Sequence, residues 1–228
     1  MATRQGTQRQ APQHGLTHPP VVFDAPIRLW HWAFAGSLTV SLVTGLADDV
    51  ALMDVHLGAG YCVLGLLLFR LGWFVWGGRH SRAAAYVVTP RRLLAQLRGH
   101  SEPTSAHTPF GALLLFALWS LVVVQATTGL FASDDIFTEG PLANRLDDDG
   151  VDLATSIHTR VFWPILALVA GHLTAIAWYG FVRRDQLPRA MFDGRKAGPP
   201  GEPRAYALRA LATLAASSAL VYALVEWG

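Results

Sequence analysis

Residues 157–182 read IHTRVFWPILALVAGHLTAIAWYGFV. This stretch has one formal charge, Arg160, and exceeds the roughly 20 apolar residues that cross a bilayer as a helix. It also holds two histidines, His158 and His172, 14 residues apart. On a helix that separation is close to four whole turns, so both imidazoles leave one face, about 21 Å apart along the axis. Ionisable side chains inside an apolar span are costly, and their default reading is a functional one.

Four more stretches of the same kind lie around it: 28–46, 55–76, 109–131 and 205–227. The whole chain of 228 residues is 52% apolar and 15% charged. About 25% charged is usual for a soluble domain, so a soluble enzyme is excluded by composition. The fold class expected is an all-α integral membrane bundle, a four-helix core with a fifth, C-terminal transmembrane helix. The expected layout is a flexible polar tail over 1–26 with no cleavable signal peptide, a transmembrane domain over 27–195, and a linker with the last helix over 196–228.

Charge sorts the connections. The 77–108 loop carries Arg79, Arg82, Arg91, Arg92 and Arg98, and the 183–204 loop carries Arg183, Arg184, Arg189, Arg195, Lys196 and Arg204. The other two connections are acidic, with Asp48, Asp49 and Asp54, then Asp134, Asp135, Glu139, Asp147, Asp148, Asp149 and Asp152. Basic loops stay in the cytoplasm. This predicts a multi-pass protein of the bacterial inner membrane, N-terminus inside and C-terminus outside. An internal echo runs alongside: VTGLADD (43–49) and TTGLFASDD (127–135) each close one helix, and each leads to a helix with an early histidine, in DVHLGAGY (54–61) and SIHTRVFW (156–163).

Five of the nine histidines, His14, His18, His80, His100 and His107, fall in polar segments and read as solvated. The other four, His31, His56, His158 and His172, lie in or beside apolar spans. The predicted topology puts His56 level with His158 near the outer surface, and His31 with His172 in the inner half. Two facing imidazoles suit the axial positions of a haem iron, whereas zinc takes four ligands. The single Cys62 rules out the C-x-x-C-H attachment of c-type haem, so any haem is non-covalent, b-type. Gly58, Gly60, Gly65 and Gly171 make room beside the ligands on this reading. Arg28, Arg70 and Arg160 are candidate partners for haem propionates. For Arg28 and Arg70, snorkelling to the inner interface is an equal alternative. No residue is expected to be catalytic.

The sequence resembles the di-haem cytochrome b subunits of Ni/Fe-hydrogenases, within the prokaryotic cytochrome b561 superfamily, over roughly residues 22–195. The resemblance rests on FDAPIRLWHW, DVHLGAGY, FRLGWFVWGGRHSRAAAYV, HTPFGA, TTGLFASDDI with GPLA, and IHTRVFWPILALVAGHLTAIAWYGFVRRDQLPRAM. It implies two haem b in a four-helix core, with axial ligands on the first, second and fourth helices, where His31, His56, His158 and His172 match. One departure is Thr159, at a place where hydrogenase subunits often carry a second histidine. The implied function is electron transfer between the quinone pool and a redox partner protein, a hydrogenase or a periplasmic c-type cytochrome, by a subunit rather than a stand-alone enzyme. His107, Gln125, Thr127 and Thr128 are candidates for contact with quinone. Two other readings stand beside it: a self-contained quinone reductase using a small outer oxidant or reductant such as superoxide, and a non-haem transporter. Membrane lipid is an expected partner, and nucleic acid is not.

Overall fold

A computed structural model describes residues 23–47, 49–78, 81–83, 89–98, 109–182, 187–194 and 206–228. His14, His18, His80, His100 and His107 lie outside these residues, as do Arg79, Arg183, Arg184, Arg195, Lys196, Arg204 and most of the expected tail. Among the described residues seven α-helices follow in order: α1 (Ala25–Ala47), α2 (Met53–Trp76), α3 (Pro90–Leu97), α4 (Pro109–Gly129), α5 (Asp148–Ala177), α6 (Leu187–Asp193) and α7 (Ala207–Trp227). The described residues contain no strand beyond one isolated bridge, Ser133 to Glu139.

Each of the five expected spans falls on a helix, with α4 ending at Gly129 and α7 starting at Ala207. Four, ending in α2, α4, α5 with its π-helical extension Trp178–Val182, and α7, are long and apolar enough to cross a membrane. Helix α1 has the length, but Arg28, Trp30, His31 and Trp32 lower the apolarity of its first turns. The helices are apolar on their outward faces as well: Phe116 and Trp163, near mid-span, are 68% and 62% exposed. In water such surfaces would aggregate, whereas in lipid they face their proper solvent.

Helix α5 begins nine residues before the expected start at 157. Asp147 caps it, its side chain accepting from Gly150 N–H at 3.0 Å, and Asp148 and Asp149 occupy the first turn, where negative charge favours a helix N-terminus. The extra turns are polar and project beyond the level of Gly129, where α4 ends.

Two antiparallel hairpins form the bundle, α1 with α2 and α4 with α5, and α2 also packs on α4. Val63 and Leu67 of α2, Val122 of α4 and Ile165 of α5 are buried together at mid-height. Phe34, Leu38 and Leu42 of α1 and Val161 and Val169 of α5 pack against them. A second cluster, Phe23, Ile27, Phe69, Trp73 and Tyr206, closes the end where α1 starts. There Asp24 caps α1 by accepting from Ile27 N–H, and takes the Ser81 hydroxyl at 2.9 Å. Short α6 lies across α1: the Trp32 indole donates to Met191 O at 3.1 Å, and its ring packs at a tilt against Phe192. Helix α7 packs on α2 through small and polar residues. Thr213, Ser217 and Val221 are buried, and the Trp76 indole donates to the Thr213 hydroxyl at 2.9 Å. Arg145 ties the far end of α7 to the 130–147 connection through Trp227 O and Gly228 O.

Candidate haem-ligand sites

At the turn between α1 and α2, the His56 Nδ1 lies 3.0 Å from Ser41 O and 3.1 Å from Thr44 Oγ1. A carbonyl oxygen only accepts, so Nδ1 carries the proton and donates. The matching turn between α4 and α5 repeats this: His158 Nδ1 lies 2.9 Å from Gln125 O and 3.5 Å from Thr128 Oγ1. Both rings are therefore Nδ1–H tautomers whose Nε2 lone pairs are free, the form in which a neutral imidazole binds metal.

Each ring reaches its carbonyl because a glycine stands in the way instead of a larger residue. A Cβ on Gly45 would sit 3.2 Å from His56 Cε1, and one on Gly129 would sit 2.8 Å from His158 Cε1. The two sites superpose in register: Ser41, Thr44 and Gly45 on α1 correspond to Gln125, Thr128 and Gly129 on α4. The echo in the sequence is thus a duplicated binding notch for one histidine. These glycines lie within VTGLADD and TTGLFASDD, where nothing in the motif itself marks the part they play.

The two rings are neighbours in an edge arrangement, with centroids 6.2 Å apart and planes at 86°. A metal holds imidazole nitrogen at about 2 Å, and each ring adds about 1 Å to its centroid, so two axial imidazoles on one ion place their centroids about 6 Å apart. The His56–His158 spacing fits that requirement. Among the described residues no group of three or more His, Cys, Asp or Glu comes together. The donor set is two imidazoles at one level, which suits an axial pair and not a four-ligand zinc site.

At the other level stand His31, in the second turn of α1, and His172, near the end of α5. The His31 Nδ1 is buried with no hydrogen-bond partner among the described residues. A buried polar atom without a partner is costly, and a ligand site is one place where that cost is met. Between the two levels lies the mid-height apolar cluster, to which α5 contributes Val161, Ile165 and Val169 on the same stripe as its two histidines.

The arginines are placed as follows. Arg28 donates through one terminal nitrogen to Phe192 O, and its Nε is buried without a partner among the described residues. Arg160 is exposed and donates to the Ser156 hydroxyl. Arg70 is buried, donates to Ser81 O at 2.9 Å, and lies 4.0 Å over the Phe74 ring. Of the expected glycines, Gly58, Gly60 and Gly171 have no atom within 4 Å of an added Cβ, while Gly65 contacts Val221 at 3.7 Å and so serves the α7 interface. Gln125 and Thr128 belong to the level of His56 and His158, the opposite end from His31 and His172.

The profile of the prokaryotic cytochrome b561 family matches residues 22–194. Probable Ni/Fe-hydrogenase B-type cytochrome subunits are similar to the chain. That of Azotobacter chroococcum mcd 1 is 27% identical over 207 residues, covering 76% of this chain and 86% of the relative. That of Bradyrhizobium diazoefficiens is 23% identical over 213 residues, covering 77% and 85%. The matched stretch runs from the cap of α1 to the end of α6 and takes in all four histidines. With membrane-spanning helices and paired imidazoles inside that stretch, the chain belongs to the prokaryotic cytochrome b561 family, membrane b-type cytochromes of electron transfer.

Proposed function

We propose that the protein carries electrons across the bacterial inner membrane through two haem b, one held by His56 and His158 and the other by His31 and His172. The observation that supports this most directly is the neighbouring pair of Nδ1–H imidazoles at 6.2 Å. Bound haem b supplies a one-electron couple. The chain's own work is to hold both imidazoles in one tautomer, to keep water from the mid-height layer with Val63, Leu67, Val122 and Ile165, and to keep two sites at two depths. Arg28, Arg70 and Arg160 are the proposed propionate partners; Arg28 retains a buried Nε for that purpose.

Charge supports an orientation. Arg82, Arg91 and Arg98 follow α2 and run through α3, while Asp49, Asp54, Asp134, Asp135, Glu139 and Asp147–Asp149 gather at the His56 end. On the positive-inside rule the start of α1 is cytoplasmic and the His56–His158 pair lies near the outer face. The hydrogenase in the relatives' names supports a redox partner protein as one terminus; the quinone pool is the proposed other terminus.

The test is a pyridine haemochrome assay with redox difference spectra on the purified chain. Two haem b per chain are expected. His172→Ala should lose one and keep the other. Well-folded protein without haem, or a His172→Ala variant that keeps both, would refute the proposal.

A further inference from the structure

The two notches are alike in every partner but one. Each histidine donates from Nδ1 to a helix carbonyl, at 3.0 Å for Ser41 and 2.9 Å for Gln125. The threonine hydroxyls differ: Thr44 Oγ1 stands 3.1 Å from His56 Nδ1, within hydrogen-bond range, whereas Thr128 Oγ1 stands 3.5 Å from His158 Nδ1, at its limit. The Thr44 hydroxyl gives its own proton to Val40 O at 2.8 Å, one turn back along α1. Its lone pairs are therefore turned to accept, and His56 Nδ1–H is shared between two acceptors. His158 Nδ1–H is held essentially by one.

We infer that Thr44 is a positioning residue that makes His56 the stronger electron donor of the outer pair and lowers the potential of the haem held there. Hydrogen bonds accepted from the far nitrogen of a ligating imidazole fix its orientation and raise its basicity. A more basic axial ligand stabilises the oxidised iron over the reduced, so the couple moves down. The inference rests on the proposed ligation of haem by His56 and His158. It adds a residue to that reading, with a direction of effect and an inequality between two threonines.

The experiment compares Thr44→Val, Thr44→Ser and Thr128→Val in the full chain, by redox titration of both haems and by electron paramagnetic resonance of the oxidised form. Thr44→Val removes the acceptor at nearly constant shape. It should shift the outer couple to higher potential, alter the outer signal only, and weaken retention of that haem by about tenfold. Thr44→Ser keeps the hydroxyl and should restore the wild-type potential. Thr128→Val should shift the couple less than Thr44→Val. An unchanged outer potential in Thr44→Val with full haem content overturns the inference, and so does an equal or larger shift in Thr128→Val. If Thr44→Val does not assemble, the Thr44→Ser and Thr128→Val pair decides: a Thr128→Val shift with a Thr44→Ser potential away from wild type overturns it. Absence of any outer haem in the wild-type chain is the separate failure, of the ligation itself, and is seen in the haem count before any variant is made.

Discussion

Substituting Gly129 by alanine should loosen the outer haem while leaving the bundle folded. The added Cβ would stand 2.8 Å from Cε1 and 3.1 Å from Nδ1 of His158. Carbon atoms in contact sit at about 3.5–4.0 Å, so the ring must withdraw from α4 by about 0.7 Å. The carbonyl that holds it is also on α4, at 2.9 Å, and the same withdrawal stretches that hydrogen bond past its useful range of about 3.2 Å. Overpacking costs about 1–3 kcal/mol and the weakened hydrogen bond about 0.5–1.5 kcal/mol. Better helix propensity returns at most about 1 kcal/mol, less at the last residue of a helix. A net loss of about 2 kcal/mol at the ligand is roughly a 30-fold weaker hold on haem. Gly45→Ala is the internal scale. Its Cβ would sit 3.2 Å from His56 Cε1, so the ring need yield only a few tenths of an ångström and the loss should be several-fold smaller. Haem content by pyridine haemochrome, read after graded dilution into haem-free detergent, checks both. Full occupancy and an unchanged spectrum in Gly129→Ala would refute the notch argument, as would a Gly45→Ala variant that loses more haem than Gly129→Ala.

Two further outcomes test the scaffold. Thr213→Val removes the acceptor of the partly buried Trp76 indole N–H, a loss of about 0.5–1.5 kcal/mol; the melting temperature should fall by a few degrees while the haem spectrum stays as it was, because α7 packs on α2 away from the histidines. In the 130–147 connection, the Thr138, Ile136 and Phe137 backbone N–H groups hold the Asp134 carboxyl below its ordinary range. A folded pKa below the unfolded value of about 3.9 gives order that is complete above that value and is lost as pH falls through the folded one. Hydrogen exchange at Ile136–Thr138 should therefore remain slow from neutral pH down to about pH 4 and rise only below it, while Asp134→Ala should exchange fast throughout; equal protection in the variant would show that the carboxylate does not order the turn.

The parts of this architecture legible in the sequence are those that depend on spacing. His158 and His172 declare one helix face by number alone, and the apolar residues at 161, 165 and 169 fill the same stripe. What hydropathy misses is structure that is helical without being apolar. The first turns of α5 are acidic, so an apolar window begins at 157 although the cap at Asp147 is a readable start signal. Helix α6 is only seven residues long and is held by Trp32 and Phe192, contacts 160 residues apart in the chain. The part played by Gly45 and Gly129 was hidden for another reason. A glycine in an apolar helix reads as packing, and only the ring lying against it identifies the notch.

The duplication also explains why the two levels differ. Counting 14 residues inward from each outer feature lands on His172 from His158, Arg70 from His56, His31 from Gly45 and Leu115 from Gly129. Perfect repetition would place like residues at corresponding inner positions on both hairpins. Instead one hairpin supplies His31 and the other His172, and their counterparts are Leu115 and Arg70. On the proposed ligation the outer pair takes one histidine from the second helix of each hairpin, whereas the inner pair takes one from the first helix of one hairpin and one from the second helix of the other. Arg70, in the register of a histidine, is turned to structure: it is buried, bonded to Ser81 O, and lies over Phe74 and near Trp30, the neighbour of His31. In a membrane no hydrophobic drive holds helices together, so close packing and buried polar contacts must do so. The Arg70–Ser81–Asp24 chain links α2 to the start of α1 at the inner level, where His31 has no notch of its own among the described residues. The symmetry lost in the ligands is matched by an asymmetric polar brace, and the helix that carries His31 is fixed by that brace at one end and by the Gly45 notch at the other.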